Sequence, residues 1–141
     1  MDKIKEFFQQ HDRFAKLAGI ELLEVREGYA KARMSLRKEH LNSVSTAHGG
    51  VIFTLADFAF AAAVNSHGTI AVAINANISF VKAVAEGDEL TAEARETALH
   101  TKLAVCSVIV ADQTGAIVAM FQGTAYRKNR DLPMSRNLNA D

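Results

Sequence analysis

Residues 48–64 read His48-Gly49-Gly50-Val51-Ile52-Phe53-Thr54-Leu55-Ala56-Asp57-Phe58-Ala59-Phe60-Ala61-Ala62-Ala63-Val64, an apolar run whose only acidic residue is Asp57. A helix apolar on nearly every side is expected inside a domain rather than on its surface. A carboxylate on such a helix is costly unless it is paired, hydrogen-bonded or turned toward a cavity. Gly49 and Gly50 leave backbone N–H groups uncovered at the positive end of the helix dipole. An oxyanion site and a carboxylate on one buried helix point to an enzyme acting on a carbonyl.

On the C-terminal side, Ile70, Val72, Ile74, Ala76, Ile78 and Phe80 alternate with Ala71, Ala73, Asn75, Asn77 and Ser79. That is the period of a strand. Glu89–Thr97, Thr101–Ala111 and Ile117–Tyr126 read as three more strands, parted by Leu99-His100 and Asp112-Gln113-Thr114-Gly115. Gly123 inside the last of them marks a bulge or a close approach. On the N-terminal side, Ile4, Phe7, Phe8, His11 and Phe14 predict one amphipathic helix over about 2–17, with Gly19 as its stop. Ile20–Val25 and Tyr29–Leu36 then form a hairpin around Arg26-Glu27-Gly28, and Arg37–Ala47 is a polar loop. The tail over about 127–141 is polar and expected to be loose. Helix, two strands, buried helix and four strands make an α+β fold, an antiparallel sheet wrapped around the central apolar helix. Residues 1–141 are read as a single domain.

Sixteen Lys and Arg balance sixteen Asp and Glu, which argues against nucleic acid as a partner. The single cysteine, Cys106, excludes an intrachain disulfide and reads as a core residue of a protein in a reducing compartment. Met1–Glu6 is charged, so no secretory signal is expected, and the Gly50–Val64 stretch is too short to span a membrane. A cytoplasmic protein with no membrane partner is the expectation. His11, His40, His67 and His100 show no metal-ligand spacing and read as surface or loop residues. Neither a Gly-x-Ser-x-Gly elbow nor a phosphate-binding glycine loop is present.

Gly50 and Asp57 lie two helical turns apart on nearly one face. Gly49 and Asp57 are separated by roughly 12 Å of helical rise. A carboxylate must approach its target within about 3–3.5 Å. Asp57 therefore cannot readily serve a carbonyl held by Gly49 of its own chain. It can serve one held by a second chain whose central helix runs antiparallel alongside, so cooperation between the two implies a site shared across a homodimer.

The segment Asn42-Ser-Val-Ser-Thr-Ala-His-Gly-Gly-Val-Ile-Phe-Thr-Leu-Ala-Asp57 resembles the signature of hotdog-fold acyl-CoA thioesterases of the phenylacetate-pathway type. Ile78–Leu90 is similar to the strand and turn that follow the central helix in that family, and the likeness spans roughly residues 12–126. Ala83 departs from it, at a turn position where the family commonly has proline. The resemblance implies a hotdog fold and hydrolysis of an acyl-CoA thioester to free acid and coenzyme A. It implies dimers, often paired into tetramers, no metal and no bound cofactor, with coenzyme A arriving as part of the substrate. Asp57 matches the family's carboxylate, nucleophile or general base, and Gly49 the glycine whose N–H polarises the carbonyl. Asn42 matches a residue positioning the carbonyl or water, and His48 one that shapes the loop before the helix.

Beside these stand Gly50 and Asn77 as candidate cleft residues, and Lys82, Arg95 and Lys102 as candidates for the phosphates of coenzyme A. Asn75 and Asn77 equally suit interstrand hydrogen bonding. Phe53, Phe58 and Phe60 suit either an apolar cleft for an aryl-acetyl, aromatic or medium-chain acyl group, or the core. Two rival readings are a non-catalytic acyl-CoA binding module and a hotdog hydratase. The second lacks the pairing of a catalytic histidine with an acid.

Overall fold

The alternation of apolar and polar residues is realised, in a computed structural model that describes residues 1–134, as α1 (Asp2–His11), α2 (Arg13–Ala18), β1 (Glu21–Arg26), β2 (Tyr29–Ser35), α3 (Gly49–Val64), β3 (Thr69–Phe80), β4 (Glu89–Leu99), β5 (Leu103–Ala111) and β6 (Ile117–Asp131). The six strands form one antiparallel sheet in the order β1-β2-β4-β5-β6-β3. Its inner face is rich in alanine: Ala30, Ala32, Ala92, Ala94, Ala104 and Ala125 are fully buried. Small residues on the sheet let α3 sit close, with Leu55, Ala56, Ala59, Phe60, Ala62 and Ala63 packed out of solvent. This is the hotdog arrangement that the resemblance implies.

Gly123 serves the close approach rather than a bulge of its own. A Cβ built there would lie 2.7 Å from the Phe60 ring. Phe60 in turn packs on Phe121 with ring centroids 5.6 Å apart.

Three features differ from the sequence reading, and a fourth, the place of β3 in the sheet, is one it left open. The expected helix over 2–17 is two helices, because Asp12 leaves the helical conformation and its side chain caps α2 through the Ala15 N–H at 3.0 Å. Gly19 ends α2 in the left-handed conformation, as expected. The expected loose tail begins later, because β6 runs on through Arg127, which pairs with Ala71, and Asp131, which pairs with Thr69. Residues 135–141 of that tail lie outside the described residues. β3 does not neighbour β4 but crosses to the far edge of the sheet, where among the described residues it is bonded to β6 alone. Its apolar residues are open: Ile74 is 59% and Phe80 51% exposed.

The third difference concerns α3, which is not enclosed on every side. Gly50 is exposed and Phe53, Thr54, Asp57 and Ala61 are half-buried, forming a stripe along one flank. Spacings of three and four residues place these on one helical face. That stripe carries the charge.

Candidate active site

The segment before α3 is a set of hydrogen bonds that aims one residue. Asn42 Oδ1 accepts from the N–H groups of Val44 (3.0 Å) and Thr46 (3.1 Å), and its Nδ2 donates to Thr46 Oγ1 (2.9 Å). The Ala47 N–H donates to the Val84 carbonyl and the His48 N–H to the His40 carbonyl, both at 2.8 Å. His48 arrives extended, at φ −62° and ψ 135°, and caps α3.

Four N–H groups at a helix start lack intrahelical acceptors, and here their fates can be followed one by one. The Gly50 N–H donates to His48 Nδ1 at 2.8 Å. Val51 and Ile52 both donate to the His48 carbonyl, at 3.1 and 3.5 Å. The Gly49 N–H alone has no acceptor among the described residues. Gly49 borders a groove of about 410 Å³ beside Phe80, Val81 and Lys82. Gly50 borders another, of about 590 Å³, beside Phe14, Leu17 and Thr54. The free donor thus lies where two grooves flank the helix start.

Asp57 sits further along the same stripe, half-buried, with no hydrogen-bond or ion-pair partner among the described residues. Burial pushes its carboxyl above the ordinary carboxylate range, and the nearby charge of Asp12 adds to the effect. A carboxylate short of water and of partners is a stronger base. With a donor at one end of the stripe and a base two turns on, the surface is equipped to polarise a carbonyl and activate water.

A family model described as the thioesterase superfamily matches residues 45–119, which include both groups. The chain belongs to the thioesterase superfamily. It is 43% identical over 133 residues to a protein of Archaeoglobus fulgidus, covering 94% of this chain and 86% of that one. It is 36% identical over 118 residues to the acyl-coenzyme A thioesterase PaaI of Escherichia coli, covering 84% of each. The structure of the E. coli PaaI protein superposes with a TM-score of 0.89 at 33% identity, over 92% of this chain and 96% of that one. A Streptococcus mutans protein solved bound to acetyl CoA superposes with a TM-score of 0.78 at 25% identity, over 81% and 92% of the two chains.

Within this thioesterase the remaining candidates divide. Asn42 is largely spent inside its own loop, and Gly50 lines a groove without a free N–H to offer. Asn77 stands exposed on β3, opposite Gln122 of β6. The Lys82 ammonium donates to the buried carboxylate of Asp112, while its own side chain stays 44% exposed. The same contact, with bonds from Thr114 and the Ala116 N–H, pulls the Asp112 carboxyl well below the ordinary range. Arg95 is engaged by Glu93 at 3.2 Å and by the Tyr29 ring.

Phe58 and Phe60 are core, whereas Phe53 is half-buried on the stripe. Cys106 is core as expected, and burial pushes its thiol up to about 12. His40, expected on the surface or in a loop, lies in the connection before α3 and is buried: its Nδ1 accepts from the Arg37 N–H and its Nε2 meets the Ala18 carbonyl, both at 2.9 Å. Among the described residues no three His, Cys, Asp or Glu side chains converge as metal ligands would, and no helix is long and apolar enough to cross a membrane. Sequence reasoning missed Thr54, whose hydroxyl donates to the Gly50 carbonyl at 2.7 Å. The spacing 50, 54, 57, 61 carried the signal. It also missed Asp12, Phe14 and Leu17, whose positions depend on a helix break that the apolar period hides.

Proposed function

We propose that the chain is an acyl-CoA thioesterase whose active site is completed by a second copy of itself. The observation that carries the reading is the coincidence, on one open stripe of α3, of an unpaired N–H at Gly49 and an unpartnered carboxylate at Asp57. Roughly 12 Å of helical rise keeps them from meeting within one chain. An antiparallel α3 from a second chain, laid along the stripe, brings the partner's Asp57 to the carbonyl held at Gly49. The free edge and exposed apolar residues of β3 favour such pairing, since an unpaired edge strand invites another chain. A dimer, or two dimers joined, is the working assembly.

In the reaction the Gly49 N–H donates a hydrogen bond to the thioester oxygen as negative charge develops there. The partner's Asp57 takes a proton from water as the water oxygen bonds to the carbonyl carbon. The tetrahedral intermediate collapses with loss of the thiolate, which receives that proton, and free acid and coenzyme A leave. The raised basicity of the buried Asp57 suits this general-base role. Coenzyme A is a part of the substrate. The lone cysteine fits a cytoplasmic setting.

Gly49→Pro tests the donor cleanly. Gly49 is the first helical residue, where proline is tolerated, and His48 already has the extended backbone that a residue before proline needs. The half-exposed Phe80 ring, 3.1 Å from a Cβ at this position, must shift slightly. Loss of one oxyanion donor is expected to lower kcat by about 10²–10³-fold. Gly49→Pro and Asp57→Asn chains are then mixed and the hybrid oligomers isolated. A hybrid dimer has one site with both groups intact, so it should recover up to half of wild-type turnover. Isolated hybrids as inactive as their parents would rule out the shared site.

A further inference from the structure

The larger groove has a feature that the catalytic pair does not explain. α2, only six residues long, presents Phe14 at 64% and Leu17 at 74% exposure, large apolar side chains turned out of the core. A helix this short has little stability of its own, yet this one is fastened at both ends. Asp12 caps its start through the Ala15 N–H at 3.0 Å. At its end the Arg37 guanidinium donates to the Leu17 carbonyl (3.1 Å), and the His40 Nε2–H donates to the Ala18 carbonyl (2.9 Å). His40 must carry its proton on Nε2, because its Nδ1 already accepts from the Arg37 backbone N–H at 2.9 Å. Ala15 is buried beneath. The two apolar side chains are held out in fixed positions.

They form one wall of the groove of about 590 Å³ whose opposite wall is the start of α3, at Gly50, Val51 and Thr54. We infer that this groove receives the acyl group of the thioester, and that Phe14 and Leu17 determine which acyl groups are accepted. The inference deepens the acyl-CoA thioesterase reading and rests on it. A carbonyl at the Gly49 N–H has this groove on one side and the groove beside Phe80 on the other. The two arms of a thioester therefore have separate places to lie. The volume is in the range of small-ligand sites, roughly 300–1,000 Å³. The Arg37 guanidinium at its rim donates to the Leu17 carbonyl, and Glu39 lines the same groove. The apolar lining of Phe14, Leu17, Leu41 and Val51 suits an uncharged aryl or medium-length alkyl group.

The test is kcat/KM for acetyl-, hexanoyl-, decanoyl- and phenylacetyl-CoA with wild type, Leu17→Arg, Leu17→Ala and Phe14→Ala, alongside the oligomer mass of each by light scattering. Both positions are exposed, so the variants should fold. The readout is the ratio of each larger substrate to acetyl-CoA, which a merely structural defect would not move. Leu17→Arg should lower the better of the decanoyl and phenylacetyl ratios at least fivefold, and the two alanine variants should shift the ratios in the same direction. A smaller shift with Leu17→Arg in an active enzyme overturns the inference and leaves the thioesterase reading standing. So does a variant that dissociates with its ratios unchanged, for then a second chain covers α2. A wild type that cleaves none of the four thioesters overturns both.

Discussion

The two flanks of α3 each carry a phenylalanine among small residues and have opposite fates. One, with Leu55, Ala56, Ala59, Phe60 and Ala63, is sealed against an alanine-rich sheet. The other, with Gly50, Phe53, Thr54, Asp57 and Ala61, stays open and holds an unpartnered carboxylate beside Asp12. The sealed flank contributes stability through close packing. The open flank gives stability up, because an ionised group short of water and partners disfavours the folded chain. Residues on the sealed flank should therefore answer to unfolding measurements, and those on the open flank to turnover.

The most severe effect expected is on the open flank. Asp57→Asn should lower kcat by about 10²–10⁴-fold, the usual worth of a general base, while raising the melting temperature at neutral pH. A variant that is both inactive and less stable would erase the contrast between the flanks. A single turnover in ¹⁸O-labelled water sharpens the chemistry: general-base attack places the label in the product acid alone, whereas label in the Asp57 carboxylate marks a mixed anhydride opened by water at the enzyme's own carbonyl.

Next comes the sealed flank. Phe60→Ala removes the ring that fills the space left by Gly123, and should cost about 3–5 kcal/mol in denaturant unfolding. Activity measured well below the new melting temperature should change far less. His48→Ala tests the junction between the flanks. It frees the Gly50 N–H, and should cost about 0.5–2 kcal/mol as a lost helix cap. The carbonyl would then face two free donors in place of one. A rise in KM for all thioesters alike would mark that loss of definition.

The smallest effect is in pH. The folded Asp57 carboxyl titrates above its ordinary value, first through burial and then through Asp12. The acid limb of kcat/KM should lie above the ordinary aspartate pKa of about 3.9. Asp12→Asn should move it down without bringing it to that value, since burial remains. For stability the sign is the reverse of a salt-bridged aspartate. The proton binds more tightly in the folded chain, so this contribution is present below the unfolded pKa and is lost as pH rises through the folded one. The melting temperatures of wild type and Asp57→Asn should nearly coincide at about pH 3 and part as the pH rises to neutrality. Curves that stay parallel would mean that the assembled protein does not perturb Asp57, and a wild type that gains stability over Asp57→Asn toward neutrality would mean that the carboxylate is paired.

Much of this was legible in the chain beforehand, for identifiable reasons. The apolar run from Val51 to Val64, broken only by Thr54 and Asp57, announces a central helix, and the hairpin and the last three strands follow from alternation and turn residues. The Gly49 donor was legible as a glycine at a helix start, but its uniqueness was not. It depends on the His48 ring and carbonyl consuming the other three N–H groups, which requires coordinates. The break at Asp12 was hidden because Phe14 continues the apolar period of α1 across it. Lys82 looked like a free cation because Asp112 lies thirty residues further along the chain.

The cleanest alternation in the chain, Ile70 to Phe80, belongs to the strand whose apolar residues are least covered. Alternation is local chemistry. It says that one face wants burial and leaves open what will bury it. The sequence by itself thus determined which segments are helix or strand, and that a carboxylate and a bare helix start share one element. Only the tertiary structure decided that β3 takes the edge, that α3 keeps one flank open, and that Phe14 and Leu17 stand over a groove. Those outcomes depend on which surfaces meet across long stretches of chain, and no local pattern encodes the meeting.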